Sequence, residues 1–129
     1  MSLDKSIDEE RIGNAVLAAA IRVHSALGPG LLEGVYEACL AHELTQLGFE
    51  VQKQVSVPIV YGDVKLEAGL RLDLLVGQKV VVEVKSVEKL LPVHLAQVMT
   101  YLKISRHGLG FLLNFNVVHM KDGIKRVVA

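Results

Sequence analysis

Asp73, Glu83 and Lys85 are the residues of this sequence whose types and spacing best suit chemistry. "RLDLLV" sets a carboxylate inside an apolar alternation, and "VVVEVK" puts a carboxylate and an amine two residues apart at the end of an apolar run. Side chains alternate along a strand, so Glu83 and Lys85 share a face. A carboxylate on one strand and a Glu-x-Lys on the next could hold a hard cation beside a lysine. A strand apolar on both faces carries two charges only where they are paired, at its end or functional. Whether Asp73 joins them rests on the turn between. With Gly77-Gln78 as a two-residue loop, Asp73 stands opposite Val82 and points away from Glu83. With a three-residue loop, Gly77 to Lys79, Asp73 stands opposite Glu83, with Cβ atoms about 5 Å apart. The competing reading is a solvated face, since Lys65, Glu67, Arg71 and Asp73 all fall on odd positions.

Two further polar features interrupt apolar periodicity. His94, Gln97 and Tyr101 form a stripe at helical spacing beside an apolar arc of Leu95, Val98, Met99 and Leu102. Gln97 and Tyr101, one turn apart, could reach a phosphate or order a water, or simply edge the core. Glu33, in "GPGLLEGVYEACL", falls between Leu40 and Leu44 on a helical wheel, with Glu37 further out. With Gly30 as N-cap, Glu33 is the third helical residue, where a carboxylate favours the helix N-terminus. Its sequence position alone fits a helix start and a site equally.

These residues need elements to hold them. Ser6 with Glu9 makes a capping box for a first helix to about Leu27, with Ile12, Val16, Ala19, Ala20, Val23 and Leu27 on one face. Gly28-Pro29-Gly30 stops it, and a second helix runs from about Leu31 to Leu47. The period then changes to two. Val51, Val55, Val57 and Ile59 alternate, Gly62-Asp63 turns a hairpin, and Leu66, Leu70, Leu72 and Leu74 alternate back. "VVVEV" reads as a central strand, Pro92 opens a helix ending near Ser105, and "LGFLLNF" is another buried strand. Asp122-Gly123 turns into a last strand, Ile124 to Val128. The order ααβββαββ predicts an α/β fold with a sheet covered by helices, one domain over residues 1–129.

Composition narrows the function. About half of the 129 residues are apolar and the formal net charge is zero. A protein living by non-specific phosphate contacts is usually basic, so neutrality argues against a tight, dedicated nucleic-acid binder. It leaves a metal enzyme open, because a bound cation brings its own charge. The apolar runs are too short to cross a bilayer, and "MSLDKSIDEE" is too polar for a signal peptide, so no membrane association is expected. A lone cysteine, Cys39, in an apolar helical setting fits a packing role in a reducing, cytoplasmic compartment. The sequence lacks GxxxxGK[ST], CxxC, HExxH and GxSxG, and its five histidines have no zinc spacing. Lys103, Arg106, His107, Lys121, Lys125 and Arg126 could form a basic edge or an ordinary solvated surface.

Together these features resemble the GxxExxY protein family, placed in the PD-(D/E)XK nuclease superfamily. "GLLEGVY", Gly30 to Tyr36, matches the signature itself, and "RLDLLV", "VVEVKSVEKLLPVHLAQVMTYLK", "GFLLNF" and "KDGIKRVV" extend the likeness over most of the chain. The resemblance implies a restriction-endonuclease-like αβββαβ core, a central mixed sheet flanked by helices, with an extra N-terminal helix. It implies a Mg²⁺- or Mn²⁺-dependent nuclease acting on DNA or RNA. Asp73 would be the motif aspartate, and Glu83 and Lys85 its E-x-K. Gln97 and Tyr101 would be the QxxxY helix element, and Glu33 the signature glutamate near the metal. Asp73, Glu83, Glu33 and the Val84 carbonyl would be the metal ligands. Leu72 stands where the motif proline is common. The superfamily also includes non-cleaving members, so a binding module for protein, nucleic acid or small ligand is the alternative. A core this small would grip a duplex weakly, so a homodimer is expected.

Overall fold

The computed structural model describes the backbone of residues 2–129 and the side chains of residues 8–129. Helix α1, Ser2–Leu27, and helix α2, Glu33–Gln46, precede the hairpin β1, Val51–Tyr61, and β2, Val64–Val76. Strand β3, Val80–Lys85, leads through helix α3, Pro92–Ser105, to β4, Leu109–Asn114. A 3₁₀ turn, Met120–Gly123, feeds β5, Ile124–Val128. The five strands lie in chain order. β3 and β4 are parallel, joined by the α3 crossover, and the other neighbours are antiparallel.

α1 begins at Ser2, which sets Ser6 inside the helix, and the Ser6 cap expected from sequence falls outside the described side chains. Its buried stripe is Ile12, Val16, Ala19, Ala20 and Val23. The stripe ends on His24 rather than Leu27, which is exposed. His24 Nε2 lies 2.7 Å from the Val117 carbonyl, so that nitrogen carries the proton.

β3 alternates between two cores. Val80, Val82 and Val84 pack with α1 and α2, whereas Val81 packs with Val98 and Leu102 of α3. Both faces are covered, which explains a strand buried from Val80 to Val84. α3 is rolled from the expected arc. Val98 and Leu102 are buried and Tyr101 and Ile104 pack beside them, leaving Leu95 and Met99 exposed.

The hairpin changes faces along its length. Val51, Leu74 and Val76 belong to the α1/α2 core, but Val55, Val57, Leu70 and Leu72 belong to the α3 core. The change falls between the pairs Lys53↔Leu74 and Val55↔Leu72, where Gln54 faces Asp73. Gln54 has φ +52°, a left-handed kink inside a strand. Further out, a bulge moves the register from Val57↔Leu70 to Ile59↔Leu66. Beyond it the hairpin outruns the core, so Leu66, expected inside, is 52% exposed.

The β2–β3 connection is the three-residue loop. Val76 pairs with Val80, Leu75 with Val81 and Leu74 with Val82, which sets Asp73 opposite Glu83. Gly77 and Gln78 both take φ near +60° (58° and 59°), and the Lys79 N–H closes the turn onto the Val76 carbonyl. Glycine is needed here twice over, for the positive φ and because a Cβ would sit 2.7 Å from Ile12 Cδ1.

Candidate active site

Asp73 and Glu83 lock the two strands where the ladder ends. The Asp73 N–H donates to Glu83 Oε2 at 2.9 Å, and the Val84 N–H donates to Asp73 Oδ2 at 2.8 Å. The last backbone pair is Leu74↔Val82, so these carboxylates continue the β2–β3 contact by side chain. The solvated-face reading holds for Lys65, Glu67 and Arg71, which are exposed, and fails at Asp73, which is half-buried. Glu83 is only 4% exposed. Burial, and then the charge of Asp73, push its carboxyl up to about 8. Burial is also the largest cause raising Asp73, offset partly by the Val84 N–H and the Lys85 charge. Without a cation the pair therefore retains a proton at neutral pH.

Lys85 is half-buried on the Glu83 face, and its charge favours ionisation of both carboxylates. Tyr101 reaches the pair from α3. Burial, then the charges of Glu83 and Asp73, raise its phenol, which stays a protonated donor. Gln97 is half-buried one turn earlier on that helix.

α2 begins later than expected. Leu32 is the N-cap and Glu33 the first helical residue, not the third. The cause is the GPG loop, where Gly28 and Gly30 both take positive φ (73° and 97°) and keep the chain out of the helix. Glu33 is exposed, its Oε1 accepts the Ser86 N–H at 3.4 Å, and its charge pushes Asp73 up. Ser86 Oγ donates to the Leu31 carbonyl at 2.6 Å. The start of α2 is thus docked on the segment that follows Lys85. Glu37 faces the site as well, because its charge raises Glu83 and its Oε1 accepts from Gln54 Nε2 at 2.8 Å.

Four residues that hold this arrangement were given no role from sequence, although Tyr36 lies in the GxxExxY signature and whether Glu33 or Glu37 faces the site was open. Tyr36 is fully buried and stacks on Phe115 with ring centroids 4.6 Å apart. Its hydroxyl donates to the Gly28 carbonyl at 2.6 Å and accepts the Leu31 N–H at 3.0 Å, stapling the loop that presents Glu33. Asn114, 2% exposed, lies beside Lys85 in the β3–β4 register. It exchanges two 3.0 Å bonds with Val87 and accepts the Asn116 N–H, which fixes the chain beyond Lys85. Its signal was an amide in the apolar run "GFLLNF". Gln54, on an ordinary outward position, had no local signal, and Glu37 had only its place beside the apolar arc of α2.

The donor set suits a hard dication in part. The strand-locking bonds use Asp73 Oδ2 and Glu83 Oε2, which leaves Glu83 Oε1 and Asp73 Oδ1, the latter 3.5 Å from Gln54 Nε2, as the oxygens a cation would draw on. Desolvated carboxylates held side by side are stabilised by positive charge. Among the described residues, however, no group of three or more His, Cys, Asp or Glu is close enough to hold a metal ion. Glu33 acts on Asp73 through its field rather than as a third member of the pair. Two carboxylates are nonetheless an ordinary protein share for Mg²⁺, which keeps waters and substrate phosphates as its other ligands.

A five-stranded mixed sheet flanked by helices, with these carboxylates at the divergence of two strands, is a restriction-endonuclease-like fold. The family model described as the PD-(D/E)XK nuclease superfamily matches residues 10–127, and the chain belongs to that superfamily. No curated protein and no solved structure matches the chain significantly. Among the described residues no helix is long and apolar enough to cross a membrane.

Proposed function

We propose that the protein is a Mg²⁺- or Mn²⁺-dependent nuclease of the GxxExxY type that hydrolyses phosphodiesters in DNA or RNA. The observation that supports this best is the interlocked Asp73–Glu83 pair with Lys85 on the same face. Asp73 and Glu83 would hold the cation, with the Val84 carbonyl as a further ligand. A bound dication would supply Lewis-acid polarisation of the phosphate and a more acidic water. Lys85 orients the attacking water and offsets charge growing on the phosphate oxygens. Glu33, at the start of α2, orders water at the rim of the pair. Tyr101 donates its phenolic hydrogen to the substrate, and Gln97 helps to orient the same group.

Four carboxylates (Glu33, Glu37, Asp73 and Glu83) surround one lysine, so the site without a cation repels a polyanion. Substrate binding is therefore weak and cation-dependent. We also propose a homodimer that enlarges the grip on a duplex, checked by light scattering at micromolar concentration, where a monomeric mass would contradict it. A reducing, cytoplasmic setting accords with the free Cys39.

Cleavage of plasmid and labelled oligonucleotides with Mg²⁺ or Mn²⁺ tests the proposal, with Asp73→Ala and Lys85→Ala as controls. Loss in both variants supports it, whereas equal activity in all three preparations means contamination. Zero net charge and the two-carboxylate set favour a second reading, a non-catalytic binding module on this fold. A calorimetric titration that shows no Mg²⁺ or Mn²⁺ binding by folded protein supports that one.

A further inference from the structure

We infer that Gln54 is a positioning residue for the carboxylate pair, its side-chain amide spanning Glu37 on α2 and Asp73 on β2. This role rests on the nuclease reading above, although the bridge itself does not. Gln54 stands opposite Asp73, between the pairs Lys53↔Leu74 and Val55↔Leu72. It is left-handed, φ +52°, within a strand and away from any turn. A chain that needed only the kink would be served by glycine or asparagine. Glutamine adds reach. Its Nε2 donates to Glu37 Oε1 at 2.8 Å and makes a long contact, 3.5 Å, to Asp73 Oδ1.

One neutral amide nitrogen thus stands against two carboxylates. Asp73 Oδ2 is already fixed by the Val84 N–H. Gln54 is thus the side chain that meets the other oxygen, Oδ1, and sets the tilt of the carboxylate plane. It also separates two like charges with a donor, so that Glu37 can face the site without expelling Asp73. The kink and the contact have one origin. The hairpin rolls its apolar side across the sheet at Gln54 and Asp73, where the exposed Gln54 side chain meets Glu37 and Asp73.

The test compares full-length wild type with Gln54→Gly and Gln54→Met. Gly keeps the left-handed backbone and removes the amide, and Met keeps the length without donors. Mn²⁺ affinity is measured by calorimetry and folding by thermal melts. Both variants should bind Mn²⁺ about five- to tenfold more weakly, while Gln54→Gly melts no lower than wild type. A Gln54→Gly protein that melts higher and binds Mn²⁺ as tightly as wild type would leave Gln54 a strained bystander and overturn the inference. A metal-free arm records the Gln54 side-chain amide protons by ¹⁵N NMR in wild type, Glu37→Gln and Asp73→Asn. Each substitution should move them, and resonances indifferent to both would overturn the bridge. If wild type binds no Mn²⁺ yet the amide responds, the nuclease reading fails and the bridge stands.

Discussion

Glu83 accepts the backbone N–H of Asp73, while Asp73 reaches across to the N–H of Val84, next to Glu83. The two acids thus hold each other's strands at the point where the β2–β3 ladder stops. Everything proposed for the site depends on this exchange, and it depends in turn on one extra loop residue. Lys79 makes the connection odd, and its Nζ pairs with Asp8 of α1 at 3.1 Å.

The pair costs stability when it is ionised without a cation. Glu83 has a folded value of about 8 against an ordinary 4.5, so the folded state binds more protons between those values. Stability should then fall as pH rises from about 4.5 to 8 and flatten above. Glu83→Gln should remove most of that slope and melt about 5 °C above metal-free wild type at pH 8. Melts of both proteins across this range check the sign. A wild type that gains stability from pH 5 to 8 contradicts it.

On the proposed mechanism, Lys85 serves the reaction rather than the fold. Lys85→Ala should lower cleavage about a hundredfold or more. It should leave Mn²⁺ affinity unchanged or tighter, since a competing positive charge is gone. Parallel cleavage and calorimetry separate the two, and a large loss of Mn²⁺ affinity would contradict this role.

Tyr36 holds the loop before α2. Tyr36→Phe keeps the stacking on Phe115 but leaves Gly28 O and Leu31 N–H without their shared partner. We expect a loss of about 1–3 kcal/mol in urea unfolding. Cleavage should fall as well, because Glu33 is presented by that loop. Unchanged stability would mean that the hydroxyl is dispensable.

Gly77 is where α1 meets the odd loop. Gly77→Ala meets both positive φ and Ile12, and should cost about 1–2 kcal/mol. The double variant Ile12→Val, Gly77→Ala should recover part of this loss. No recovery would place the cost in the backbone alone.

Much of the fold was legible because it follows local periods. The Gly62-Asp63 hairpin, the helix opened by Pro92 and the buried run "LGFLLNF" all lie where patterning placed them. For the Gly77 loop, sequence could frame the alternatives but not choose. The three-residue form is held by contacts distant in sequence, with Ile12 and Asp8 of α1 against Gly77 and Lys79. The departures are non-local. Glu33 stands at the first helical position because Gly28 and Gly30 take positive φ in a loop tied down by the Tyr36 hydroxyl. Leu66 lies outside because a bulge carries the hairpin past the core, and Leu95 and Met99 because α3 rolled to pack Tyr101 and Ile104 beside Val98 and Leu102 instead. Gln54 and Glu37 meet only through the fold, so no spacing along the chain could join them.

The central claim is a cation-dependent site built on Asp73 and Glu83. Its most direct test is calorimetric titration of Mn²⁺ into folded wild type, Asp73→Asn and Glu83→Gln, with nucleic-acid cleavage read on the same samples. A cation site on these two carboxylates requires binding and cleavage in wild type, and loss of both by at least about tenfold in each variant that remains folded. Wild-type protein that cleaves equally well without added cation in excess chelator, or variants that bind and cleave like wild type, would contradict it.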